Sequence, residues 1–197
     1  MTIMHNAYYP SDRDYLFALA KELKKEYDFI VARGHLLQID APDLAMERHL
    51  YFRDVPDADF LASVETHIEA LNVALTDVPR DRVRLHVCWG TWDGPHADDT
   101  PLAPLLPRLY EAKVGALNMP FANPGHQHEY ETFRKHPLPQ DMILIPGVID
   151  NMSKHLEHPE VVAERIIRAV DMVGDRARVI AGVDCGFAVF TDYALVT

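Results

Sequence analysis

Residues 84–90 read Arg84-Leu85-His86-Val87-Cys88-Trp89-Gly90. Arg82 to Val87 has the length of a strand, and in a strand residues two apart project from one face. His86 and Cys88 can therefore hold one ion together. They pair naturally with Cys185, in Val183-Asp184-Cys185-Gly186-Phe187. These are the only two cysteines in the chain, and both stand where an apolar strand gives way to glycine. Imidazole with thiolates is the ligand set zinc prefers, and three protein ligands leave a fourth position for a substrate. Two rival readings stand beside this one: cysteine as a small buried hydrophobe, and a Cys88–Cys185 disulfide. The disulfide would need an oxidising compartment, which neither a signal peptide nor further cysteines suggest.

Working outward, helix and strand alternate. Ser11 is placed to cap an amphipathic helix with Leu16, Leu19, Leu23, Tyr27 and Ile30 on one stripe, ended by Gly34. His35 to Ile39 is a short apolar run closed by Asp40-Ala41-Pro42-Asp43. A second helix is expected over about 59–75, then the strand 82–87. A helix over 102–112 precedes a strand over 114–119. After the polar stretch 123–129 come a strand over 142–146, a helix over 160–173 opened by Pro159, and a last strand over 178–183. Nearly continuous apolar strands suit a parallel sheet covered on both faces. Asp40, His86, Cys88, Asp150, Asp184 and Cys185 all fall at or just after the C-terminal ends of strands. Parallel α/β folds, barrels above all, build their sites at that edge.

A chain of 197 residues with 48% apolar composition can form one domain with a substantial core. No apolar run approaches the roughly 20 residues of a membrane span. A net charge of −11 excludes the basic stripe of a nucleic-acid-binding surface, and the dispersed charges suit a cytoplasmic protein. Eleven histidines are many, and His126 and His128 cluster near the expected site.

Four segments together resemble the C-terminal catalytic barrel of cobalamin-independent methionine synthase and its stand-alone relatives: Leu36-Leu37-Gln38-Ile39-Asp40-Ala41-Pro42, Leu85-His86-Val87-Cys88-Trp89-Gly90, Leu144-Ile145-Pro146-Gly147-Val148-Ile149-Asp150 and Asp184-Cys185-Gly186-Phe187. They occur in the family's order and cover nearly the whole chain. The resemblance implies an α/β fold of the (β/α)8 TIM-barrel type carrying zinc, which moves a methyl group onto the thiol of homocysteine. Carried over, His86, Cys88 and Cys185 become the zinc ligands, and Asp40 holds the amino group of the amino-acid acceptor. A thiol near its ordinary pKa is a poor nucleophile at neutral pH, and zinc deprotonates it. Asp40, Asp150 and Asp184 are the catalytic candidates, Asp184 as a partner that orients His86 or as a turn cap. Trp89, Trp92, Asn118 and His126, with Asp40, are the substrate-facing candidates. No role falls to His96, Asp98 or Asp99, which resemble a hydrophilic loop.

Two departures from the family stand out. The family's further zinc ligand, a Glu, falls here on Asn118 or Pro120, neither an ordinary ligand. Epoxyalkane:coenzyme M transferase, a related thiol alkyltransferase, resembles this chain in using His-x-Cys with one distant Cys, so three ligands can suffice; His126, His128 or Glu129 are the alternatives. The second departure is length, since five strands do not close a barrel of eight. By the resemblance, residues 1–197 form a single partial barrel domain lacking the first strands and the last helix. An open sheet exposes edge groups and apolar faces, so a second chain or a second copy is expected to complete it. The partners are then a small-molecule thiol and an alkyl donor. The rival function is a non-catalytic subunit that completes or regulates a partner barrel; within enzymes, the rival is transfer of an epoxide or other electrophile to a thiol such as coenzyme M.

Overall fold

The computed structural model describes residues 5–91, 95–190 and 193–194. Ser11 opens the first helix, α1 (Asp12–Ala32), its hydroxyl accepting from the Asp14 N–H at 3.1 Å and so satisfying one donor that a helix start leaves free. Gly34, at φ +84°, turns the chain toward β1 (Leu37–Asp40). Then α2 (Glu47–Leu50) and α3 (Asp57–Ala74) lead to β2 (Val83–His86), α4 (Leu102–Leu109) to β3 (Ala116–Met119), and α5 (Thr132–Lys135) to β4 (Ile143–Pro146). The helix α6 (Pro159–Val173) and a hairpin of β5 (Ala188–Phe190) with β6 (Tyr193–Ala194) follow.

The first four strands pair in chain order, all parallel. Their side chains divide by alternation. Leu37, Ile39, Val83, Leu85, Val87, Leu117, Met119 and Leu144 join one core with Leu16, Ala20, Phe60, Ile68, Leu105 and Leu109 of the helices. The opposite face carries Gln38, Asp40, Arg84, His86, Ala116, Asn118, Ile143 and Ile145. Gln38 and Asp40 are exposed there, and Arg84 and Ile143 only half-buried. Helices thus cover one side of an arc whose other side is partly exposed, and among the described residues no strand closes it into a barrel.

The expected elements stand within a few residues of the observed ones, with two corrections: the sheet is not covered on both faces, since Gln38 and Asp40 are exposed, and the last strand is incomplete. The strand expected over 178–183 is reduced to two parallel bridges, Leu144 with Val179 and Gly147 with Gly182. Its N–H groups still follow the neighbour, Ile180 bonding Leu144 O and Gly182 bonding Pro146 O, each at 3.0 Å. Among the described residues no strand pairs its far side, so it lies as a loosely held edge. Between β3 and β4 the polar stretch, readable as a solvated loop or a helix start, folds into a 3₁₀ turn (Glu129–Glu131) running into α5. The open edge is also bare of cover: Ala169 alone in α6 is fully buried, while Ile167 is 60% and Ile180 42% exposed. No described helix is long and apolar enough to cross a membrane.

Candidate metal centre

The sheet register sets Asp40 beside His86 and His86 beside Asn118, so three polar side chains form one row at the C-terminal ends of β1, β2 and β3. Cys88 follows two residues after His86, and the Val87 N–H still bonds Asn118 O at 3.0 Å, which keeps Cys88 on the same side. Cys185 arrives from the far edge. The approach depends on Gly147, where a Cβ would lie 1.9 Å from Asp184 Oδ1 and 2.7 Å from its Cα; only a residue without a side chain lets the two backbones come so near. The ligand atoms of His86, Cys88 and Cys185 all lie within 4.8 Å of one another. Both cysteines are free thiols, so the disulfide reading fails.

His86 is 6% exposed. Its Nδ1 stands 2.9 Å from Asn118 Oδ1, an oxygen that can only accept, so Nδ1 carries the proton and the neutral ring presents a lone pair at Nε2. That Nε2 is buried with no hydrogen-bond partner, and the thiols are its neighbours. Burial alone would lower the His86 pKa; the nearby Cys185 sulfur, Asn118 and the Asp40 charge outweigh it and raise the group. The two thiols split. The proton shared from Cys88 holds Cys185 well below the ordinary thiol range against the effect of burial, with His86 adding to the shift. The same contact, then burial, drives Cys88 upward. One thiolate, one proton donor and one imidazole lone pair converge, and a soft divalent cation is what satisfies such a set. The orphaned Nε2 and the two sulfurs therefore fit zinc.

The remaining expected residues fall in different places. Asp40 lies 4.0 Å from His86 Nε2 through Oδ1, with 72% of its side chain exposed at the open face. Asn118 is turned to His86. Asp184 does not orient His86: its oxygens accept from the Ala122 and Asn123 N–H groups at 2.9 and 2.8 Å, tying the loop after β3 to the Cys185 arm. Burial pushes its carboxyl up to about 6 against those bonds. Asp150 Oδ1 accepts from the Met152 N–H at 2.9 Å and lines a cavity of about 290 Å³ shared with Cys88 and Trp89. Trp89 walls that cavity, fully buried, its indole N–H donating to Thr100 O at 2.7 Å. Trp92 lies outside the described residues. His126 and Glu129 do not fill the missing Glu position, because they face Asp99 and the Leu102 N–H instead; His128 is exposed. The polar loop that suggested no role proves buried at Asp99, which three histidines meet. A high histidine count was its one signal in sequence.

No family model matches the chain. It is 28% identical over 218 residues to 2-hydroxypropyl-CoM lyase of Xanthobacter autotrophicus, covering 96% of this chain and 53% of that protein. It is 28% identical over 168 residues to a methionine synthase of Sulfurisphaera tokodaii, covering 85% and 41%. Among solved structures it resembles a B12-independent methionine synthase from Shewanella sp. W3-18-1, with a TM-score of 0.66 at 19% identity, over 92% of this chain and 50% of that one. The resemblance to cobalamin-independent methionine synthases and to the coenzyme M relative is thus borne out. The fold is a TIM-barrel arc, and the chain spans about half the length of the curated relatives it matches.

Proposed function

We propose that this chain is the thiol-activating part of a zinc-dependent thiol alkyltransferase, its first reaction being methyl transfer to a homocysteine-like thiol. The convergence of His86, Cys88 and Cys185 within 4.8 Å carries the reading. A degenerate, non-catalytic subunit has no physical need to keep three ligands from two distant segments together. The similarity to a coenzyme M enzyme over 96% of the chain favours, as second reading, transfer of another electrophile to an alkanethiol.

Zinc held by His86, Cys88 and Cys185 would supply a Lewis acid that keeps an acceptor thiol deprotonated at neutral pH. The chain's own residues prepare the place. Asn118 holds His86 in the tautomer whose Nε2 lone pair faces the thiols. Asp40, at the open mouth, is positioned to take the ammonium of an amino-acid acceptor as a charge-assisted partner. Trp89 and the residues packed on it wall one side of the cavity and exclude water from it. Asp184 and Gly147 hold the Cys185 arm against β4. The uncovered edge at α6 and the exposed Gln38 and Asp40 support a single partial barrel over residues 1–197 that a second chain or a second copy completes, and that completion would supply the rest of the donor's site.

The test is metal analysis with native mass spectrometry on the purified protein, followed by methylation of homocysteine. About one zinc per chain and product formation support the reading. A metal-free protein with an intact fold would move the assignment to the structural subunit.

A further inference from the structure

Asp99 is a buried carboxylate on which three imidazoles converge. His96 Nδ1 and His126 Nε2 lie 2.9 and 3.0 Å from its Oδ2, and His49 Nδ1 lies 3.3 Å from its Oδ1. The second nitrogen of His126, Nδ1, stands 3.6 Å from Oε1 of Glu129. Nε2 is within hydrogen-bond range of Asp99, whereas Nδ1 is buried without a hydrogen-bond partner; a carboxylate on each side of the ring favours the imidazolium by charge. Burial alone would lower His126, and the bond to Asp99 with the nearby Glu129 carboxylate outweighs it and raises the group. The charged ring is stacked on Trp89, centroids 3.7 Å apart and planes 15° from parallel, a favourable place for a cation.

This cluster does not have the geometry of a second metal site; among the described residues only His86, Cys88 and Cys185 bring three ligand atoms together. It does share a cavity with Cys88, through His96, Asp99 and His126. His49 and His126 are almost wholly buried, whereas the His96 side chain is 24% exposed. His96 is therefore the more exposed of the two imidazoles that line the cavity. A proton can pass between it and the rest of the cluster through the shared Oδ2.

We propose that Asp99 and its histidines are the proton store of the alkyl transfer, with His96 the catalytic residue at the cavity and His126 and Glu129 positioning residues that set the charge of the cluster. The proposal rests on the thiol alkyltransferase reading. In such a reaction the acceptor R–SH loses its proton, and sulfur uses the freed pair to form the S–C bond. The C–X bond of the donor breaks with its pair on X. The proton of sulfur passes to solvent as the thiol is deprotonated, and the cluster gives one proton to X and regains it from solvent, so that R–SH and R′–X give R–S–R′ and H–X with no net acid or base consumed (in an epoxide the O–H formed stays on R′).

The test compares two donors of different leaving-group demand, with homocysteine as acceptor and the zinc-loaded full chain in the assembly it forms. Iodide leaves methyl iodide without needing a proton, whereas the oxygen of propylene oxide must take one. Asp99→Asn and His96→Gln are expected to slow the propylene oxide reaction by about a hundredfold, the low end for general acid catalysis, and the methyl iodide reaction by less than about twofold. ¹⁵N NMR of the wild type provides a readout that needs neither turnover nor a buried substitution: His126 is expected to show both ring nitrogens protonated at neutral pH. Equal slowing of both donors in both variants would make the cluster a scaffold and overturn the proposal, as would a neutral His126 ring. A wild type that alkylates homocysteine with neither donor overturns the transferase reading and this proposal together, a result distinct from equal slowing.

Discussion

Asn118 Oδ1 lies 2.9 Å from His86 Nδ1, across neighbouring strands in register, and this contact decides which nitrogen of His86 faces the thiols. Partners that orient a ligating histidine typically contribute tenfold to a hundredfold to metal affinity. Asn118→Leu should therefore weaken zinc binding by about that factor, whereas Asn118→Asp, which still accepts from Nδ1, should restore most of it. Chelator competition on the two variants measures the difference; equal affinities would remove Asn118 from the site.

Zinc binding should release protons. Because Cys185 is already depressed toward thiolate and Cys88 raised, the proton displaced at neutral pH comes chiefly from Cys88. Affinity should then rise about tenfold per pH unit, since one proton is exchanged for the metal. Below the raised pKa of His86 a second proton competes and the slope steepens. Occupancy therefore falls as pH falls, and titration in weakly buffered solution counts the protons directly. Cys88→Ala and Cys185→Ala should each abolish occupancy with the far-ultraviolet circular dichroism unchanged.

Gly147→Ala should cost stability and metal together. The added methyl would meet Asp184 at 1.9 Å, and forcing extra volume into a packed region costs about 1–3 kcal/mol. The backbone that must give way is the one carrying Cys185. Loss of zinc at unchanged melting temperature would contradict this coupling.

Glu47 titrates inside the fold. Burial, with a contribution from the Asp43 charge and against the opposing His67, pushes its carboxyl up to about 7 from an ordinary 4.5. The folded state thus favours the neutral acid and binds the extra proton. Its stabilising contribution is complete below about pH 4.5 and is lost as pH rises through about 7. Glu47→Gln should remove that loss, making the variant more stable than the wild type at pH 8 by about 1–3 kcal/mol and near parity at pH 5. Urea denaturation at the two pH values is the check.

The bare edge should govern assembly. Ile167→Glu and Ile180→Glu place charge on side chains 60% and 42% exposed at the uncovered strand and helix. If a second chain or copy closes the barrel there, native mass should fall to that of a single chain. An unchanged assembly would place the interface elsewhere.

The strands with apolar cores, such as Ile143-Leu144-Ile145, were legible because composition and length suffice to mark them. The segment 178–183 was legible as extended but not as an edge, because pairing depends on what lies beside it. The candidate metal triad was readable since His-x-Cys on one strand face is a local relation and only one distant cysteine partner existed. Asp184 was readable as a partner of His86 or as a turn cap, and its carboxylate goes instead to the Ala122 and Asn123 N–H groups, far off in sequence.

By itself, the sequence determined the alternation of helix and strand and singled out His86, Cys88 and Cys185 as the candidate ligands. These follow from periodicity and residue chemistry, which act over a few positions. Tertiary structure alone decided that Asn118 orients His86, that Gly147 admits the Cys185 arm, and that a polar loop is buried as the Asp99 cluster. Each of those relations joins segments far apart in the chain, and burial, which turns a polar side chain from solvated surface into a required partner, is a property of packing that no local pattern encodes.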